Sequence, residues 1–156
     1  MHKISPFLWF DDDAEDAANL YVSIFGGKII DEHRWGPGGP APEGSLMSVI
    51  FEIDGREYQA FNGGPGHPFS DAASLAVSVE TQEELDDAWD RLIEDGGQPV
   101  ACGWLTDRFG LSWQIVPAVL GELLSDPDSG RSSRALEAML SMVKLDIAAL
   151  RAAADG

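Results

Sequence analysis

Apolar and polar positions along this 156-residue chain fall into two successive series with the same order of elements. Ile4 to Phe10 is a short apolar run bounded by charges and predicts a buried strand. Asp11, Asp12 and Asp13 follow, placing capping groups and negative charge at a helix start. Ala14, Ala17, Ala18, Tyr21, Ile24 and Phe25 then recur at steps of three and four, one stripe of a helix. Gly26-Gly27 ends it, and Lys28 to His33 predicts a second strand. Leu46 to Ile53 and Arg56 to Asn62 flank Asp54-Gly55, a two-residue hairpin signal.

The second series runs in parallel. Ser74 to Val79 predicts a strand, and Thr81-Gln82-Glu83-Glu84 is a capping box, in which hydroxyl and carboxylate each satisfy an orphan N–H. Leu85, Ala88, Trp89 and Leu92 form the helical stripe, and Gly96-Gly97 ends it. Each glycine pair stands 22 residues after the start of its strand, Ile4 or Ser74. Cys102 to Thr106 and Leu111 to Pro117 then flank a four-residue turn, Asp107 to Gly110. In both hairpins the turn glycine is followed four residues later by a glutamine with an aromatic residue before it: Gly55 with Tyr58-Gln59, and Gly110 with Trp113-Gln114. Equal order and spacing imply duplication. The expected fold is α+β, two βαβββ modules forming curved mixed sheets.

The expected boundaries are module one at 4–62, a linker at 63–73 and module two at 74–117, together a domain of 1–118, with a C-terminal helical extension at 119–156. Trp35 to Gly44 is too rich in glycine and proline for a helix or central strand and reads as an inserted loop. Asn62 to Pro68 is equally irregular; either segment suits a binding loop or a plain connection. In the extension, Leu136, Leu140, Val143, Ile147 and Leu150 follow alternating steps of four and three, the spacing of a helical seam. That seam packs on its own domain or clasps a second subunit; a homodimer is expected.

Composition narrows the partners. Acidic residues number 27 against 10 basic ones, for a net charge of −17, a field that repels nucleic acid and anionic membranes. The single Cys102 forms no internal disulfide and points to a reducing cytoplasm. The apolar stretch near the N-terminus is too short for a signal peptide, and no run approaches the roughly 18 apolar residues of a membrane span.

Paired strand-helix-hairpin modules ending in Asp107-x-x-Gly110-x-x-Trp113-Gln114-Ile115 resemble the vicinal oxygen chelate superfamily, the fold of glyoxalase I, bleomycin-resistance proteins and extradiol dioxygenases. Within it the chain is most similar to the PhnB-like, or 3-demethylubiquinone-9 3-methyltransferase-like, branch. Ile4-Ser5-Pro6-Phe7-Leu8-Trp9-Phe10, Leu20-Tyr21, Phe25-Gly26-Gly27, Phe61-Asn62-Gly63-Gly64 and Cys102-Gly103-Trp104-Leu105-Thr106-Asp107 carry the likeness, with Trp113 to Pro117 and, in the tail, Gly121 to Pro127.

In metal-using members of that superfamily the ligands come from the first and last strands of each module. Mapped onto this chain by its anchors, the resemblance implies ligand slots at Pro6 and Gln59 in module one and near Ser74 and at Gln114 in module two. Proline has no ligating group, serine is a poor ligand, and two neutral amides hardly create a site. His2, His33 and His67 show no ligand spacing. No metal and no cofactor are expected.

The expected ligand site is instead a pocket of amides and aromatics. Gln59 and Gln114 point inward as donor-acceptors, with Trp9, Phe61, Trp104 and Trp113 as walls, although a core position suits each tryptophan, taken singly, slightly better. Cys102 joins them as a small apolar residue, since no neighbouring His or Lys activates its thiol. Asp107 is read as a turn cap rather than a general base. Gly36-Pro37-Gly38-Gly39-Pro40 precedes no helix, so no nucleotide-type methyl-donor loop is visible. The expected function is small-molecule binding without the usual metal. The alternatives are a metal-dependent lyase, dioxygenase or transferase, or the methyltransferase that the branch name implies.

Overall fold

A computed structural model describes residues 3–156, and the chain forms two compact units, the first ending at Pro68 and the second beginning at Phe69. The first unit holds β1 (Phe7–Phe10), α1 (Ala14–Phe25), β2 (Lys28–Arg34), β3 (Leu46–Ile53) and β4 (Arg56–Asn62). Its sheet order is β1-β4-β3-β2, with β1 parallel to β4 and the other pairs antiparallel. The second unit repeats the plan with β5 (Ser74–Val79), α2 (Gln82–Ile93), β6 (Gln98–Pro99), β7 (Trp104–Thr106) and β8 (Ser112–Pro117). Its order is β5-β8-β7-β6, with β5 parallel to β8. The duplicated βαβββ unit read from the sequence is thus the architecture.

One face of each sheet is sealed by its helix. Val49, Phe51, Ile53 and Ala60 are buried with Ala14, Ala17, Ala18 and Tyr21 of α1, and the alanines let the helix lie close to the strands. In the second unit Leu105, Trp113 and Ile115 are buried with Leu85, Ala88, Trp89 and Leu92 of α2. Side chains alternate along a strand. The other face of each sheet therefore carries Ile50, Gln59 and Phe61, or Trp104 and Gln114, all only half-buried.

Several element ends depart from expectation for local reasons. The strand starts at Phe7, not Ile4, and Ile4 is exposed; the Pro6 carbonyl still accepts from Gln59 N at 3.0 Å, but proline has no N–H to extend the ladder. Asp13 is the N-cap of α1 without a side-chain capping bond; Asn62 Oδ1 accepts from Ala14 N at 2.9 Å instead. The Thr81 capping box forms as expected. In the second hairpin the leading strand starts at Trp104, not Cys102, because Cys102 (φ 61°) and Gly103 (φ 82°) turn out of the ladder.

The tail is three helices, α3 (Ala118–Leu124), α4 (Ser129–Ser141) and α5 (Ile147–Asp155), and it belongs to the second unit. The expected continuous seam is broken between α4 and α5. Met142 is extended, because the backbone there has other partners: Cys102 N donates to Met142 O at 2.9 Å and Gly103 N to Val143 O at 2.8 Å. Leu136, Leu140 and Val143 are left exposed, whereas Leu145 and Leu150 are fully buried. A β-carbon on Gly103 would press on Ile115 O and Leu145 at 3.0 Å, in a backbone region that disfavours side chains, so glycine permits this docking.

Candidate functional site

In the first unit Gln59 sits in mid-strand between Phe7 on β1 and Ile50 on β3. Its Nε2 donates to Ser5 Oγ at 3.2 Å. Two residues on, Phe61 lies between Trp9 and Ser48, on the same face. The rings of Trp9 and Phe61 meet edge-on with centroids 5.0 Å apart. Phe7 lies 5.6 Å and Trp35 6.4 Å from Phe61, and His67 lies 4.4 Å from Trp9. Trp9 Nε1 donates to Gly64 O at 2.8 Å, which fixes the indole. Gly63 passes so close that a β-carbon there would overlap the Trp9 and Phe61 rings. Trp9, Phe61 and Gln59 are therefore brought together, and Trp35 and His67, from the irregular loops, complete the aromatic wall.

In the second unit Gln114 occupies the equivalent place, between Ala76 on β5 and Trp104 on β7. Its Nε2 donates to Ser74 Oγ at 2.9 Å. Ser74 stands two residues before the strand partner of Gln114, as Ser5 stands two before Phe7, the partner of Gln59. In ladder register the counterpart of Ser74 is therefore Ser5, one residue before the expected slot at Pro6. Each glutamine holds the same amide–hydroxyl pair, and neither Oε1 accepts a hydrogen bond from a described residue.

Trp104 shares the face of Gln114, but Trp113 does not. As the neighbour of Gln114 along the strand it points the other way, is 1% exposed and donates from Nε1 to Asp107 Oδ2 at 2.9 Å. Trp113 is a core residue, not a pocket wall. Asp107 Oδ1 accepts from Phe109 N at 2.9 Å and Leu111 N at 3.0 Å, so this buried carboxylate caps its turn, as read from the sequence. Cys102 is half-buried rather than sealed in the core. It lines a cavity of 380 Å³ within the second unit, together with Asp71, Trp104, Thr106 and Ser112.

The donor set does not fit a divalent transition metal. Ser5, Gln59, Ser74 and Gln114 offer hydroxyls and amides, with neither imidazole nor anionic oxygen among them. His33 approaches Asp31 at 3.7 Å on β2, His67 packs on Trp9, and His2 lies outside the described residues. No group of three or more His, Cys, Asp or Glu side chains converges among the described residues.

Two four-stranded mixed sheets of this topology form the fold of the vicinal oxygen chelate superfamily. The chain belongs to the 3-demethylubiquinone-9 3-methyltransferase family, whose model matches residues 2–116. A Bacillus cereus PhnB protein of that description is 34% identical, and the match covers 75% of this chain and all of that one with a TM-score of 0.68. A Pseudomonas aeruginosa protein at 21% identity shares the fold over 75% of this chain and 98% of its own, with a TM-score of 0.62. The fosfomycin resistance protein FosX of Listeria monocytogenes does so at 16% identity over 78% and 97%, with a TM-score of 0.53. No curated protein matches the chain.

Proposed function

We propose that this protein is a small-molecule-binding member of the glyoxalase-like fold that works without the superfamily's metal. The twin amide–hydroxyl pairs, Gln59 with Ser5 and Gln114 with Ser74, carry this reading. Each stands mid-sheet beside aromatic side chains and keeps an amide oxygen to receive a polar ligand, as small-molecule sites combine apolar walls with a few placed polar groups. An acid–base enzyme gains little support. The buried Asp107 is engaged by two backbone amides and the Trp113 indole, away from the face of Gln114. The methyltransferase of the family description has no supporting element either, since no described strand leads through a glycine-rich loop into a helix.

A thermal-shift screen of polar and aromatic metabolites tests the proposal. A ligand at 100 times its dissociation constant stabilises by about 2.7 kcal/mol. Gln114→Ala abolishes the shift, while the surface change Glu94→Ala leaves it intact. Equal shifts in wild type and Gln114→Ala place the site elsewhere.

A cytoplasmic homodimer belongs to the same proposal. Leu136, Leu140 and Val143 leave apolar surface on the tail, and no described helix is long and apolar enough to cross a membrane. Light scattering that gives a monomer at micromolar concentration refutes the dimer.

A further inference from the structure

Three hydroxyl side chains stand in one row across the second sheet. Thr106 on β7 faces Ser112 on β8, and Ser112 faces Ser74 on β5, on the face that carries Gln114. Ser74 accepts from Gln114. Ser112 is only 2% exposed, yet its side chain makes no hydrogen bond, and neither does that of Thr106. Among the described residues no solvent-sealed polar side-chain atom is left unpaired. Ser112 Oγ is therefore reached by solvent, and Ser112 lines the 380 Å³ cavity. A group that enters the cavity therefore finds the Ser112 and Thr106 hydroxyls free to hydrogen-bond.

The remaining lining sets the sign of that group. Asp71 supplies a carboxylate that is in no ion pair, Trp104 supplies a ring, and no Lys, Arg or His borders the space. An anion entering would meet Asp71 with no cation to offset it, inside a chain whose net charge is −17. A cation gains from Asp71, from the indole ring and from the field of the whole chain. We infer that the cavity takes a small organic ammonium ion, whose N–H groups donate to the Ser112 and Thr106 hydroxyls and the Asp71 carboxylate. This rests on the small-molecule reading above and adds the charge of the ligand.

Three probes of matched shape test it on the full chain near neutral pH: benzylamine, benzyl alcohol and benzoate. Amide resonances of Trp104, Thr106 and Ser112 are followed during titration. Benzylamine shifts them saturably and more tightly than either other probe. Asp71→Asn and Ser112→Ala each weaken it about fivefold, the worth of one partly exposed ion pair or one hydrogen bond. Ser112→Ala removes no hydrogen bond within the protein, and Asp71 is exposed, so both variants keep the fold by circular dichroism. Benzoate or benzyl alcohol binding there as tightly as benzylamine overturns the ammonium assignment, as does unchanged benzylamine affinity in both variants. Either result leaves the small-molecule reading standing. If no probe moves these resonances the assignment falls alone, unless the Gln114-dependent thermal shift is also absent, in which case both fall.

Discussion

Replacing Asp107 by asparagine reverses one hydrogen-bond direction in the core of the second unit. The carboxylate is 3% exposed and accepts from Phe109 N and Leu111 N through Oδ1 and from Trp113 Nε1 through Oδ2. Asparagine keeps the two backbone bonds only if its amide nitrogen faces the indole N–H, donor against donor. Flipping the amide is worse, since two backbone N–H groups then meet the NH₂. A lost charge-assisted bond and an unpaired indole donor together cost about 2–4 kcal/mol. Trp113→Phe removes the opposing donor, so Asp107→Asn costs only about 1 kcal/mol in that background. The double-mutant cycle then gives a coupling of about 1–3 kcal/mol. Urea unfolding of the four proteins, followed by circular dichroism, measures it. An Asp107→Asn variant within about 0.5 kcal/mol of wild type, or additive costs, refutes the bond between this carboxylate and the Trp113 indole as a source of stability.

Gly63→Ala drives a methyl into the Trp9 and Phe61 rings, and a destabilisation of about 1–3 kcal/mol should accompany an altered near-ultraviolet spectrum; an unchanged spectrum shows the wall is not packed as described. Ser5→Ala should weaken any Gln59-dependent ligand while Pro6→Ala should not, and the opposite order in a thermal-shift assay returns the slot to Pro6. The clasp between tail and α2 should open in acid. Hydrogen bonds from Lys144 and Gln82 hold the Asp86 carboxyl below its usual range, so its stabilisation is complete above the ordinary carboxylate pKa and is lost as pH falls through the lower folded value. Burial lowers the Lys144 pKa, but bonds to Asp86 and Asp90 outweigh it and raise the group overall, so Lys144 stays charged throughout. Amide exchange at Cys102 and Gly103 should accelerate below the usual carboxylate range, and Asp86→Asn should remove that dependence; identical profiles in both proteins refute it.

The elements were legible because each rests on a local signal. Period-two and period-3.6 runs, a capping box and glycine turns reproduce β3, β4 and β5 to the residue. What escaped the sequence depends on partners distant along the chain. Asn62 caps α1 from 48 residues away, which no N-terminal pattern announces. The seam from Leu136 to Leu150 is regular in sequence, yet two backbone amides at Cys102 and Gly103 draw residues 142–143 out of helix. A tertiary hydrogen-bond offer outweighed a short helical pattern.

For the site, residue type was informative but register decided. The equivalent places of Gln59 and Gln114 in the two sheets were legible from the repeat. Trp113 was misplaced although the means to place it was present: adjacent strand residues face opposite ways, so a wall at Trp113 is incompatible with an inward Gln114. The same alternation puts Ser112 and Val116, not Trp113, beside Gln114. Trp35 and His67 come from loops, where no periodicity tells which way a side chain turns.

The first-strand slot depends on register in the same way. Counting back from anchors in α1 assumes equal lengths between strand and helix in both modules, whereas the ladders pair Gln59 with Phe7 and Gln114 with Ala76. Aligning those partners moves the slot to Ser5 and turns an apparent mismatch, proline against serine, into two identical serine–glutamine pairs. The identity matters because a proline in one module would leave only one half with a hydroxyl beside its glutamine. Both modules instead hold the same hydroxyl–amide pair, with neither imidazole nor carboxylate in it. The proposed polar organic ligand rests on that repeated pattern, since hydroxyls and amides suit hydrogen bonding better than they suit a divalent transition metal.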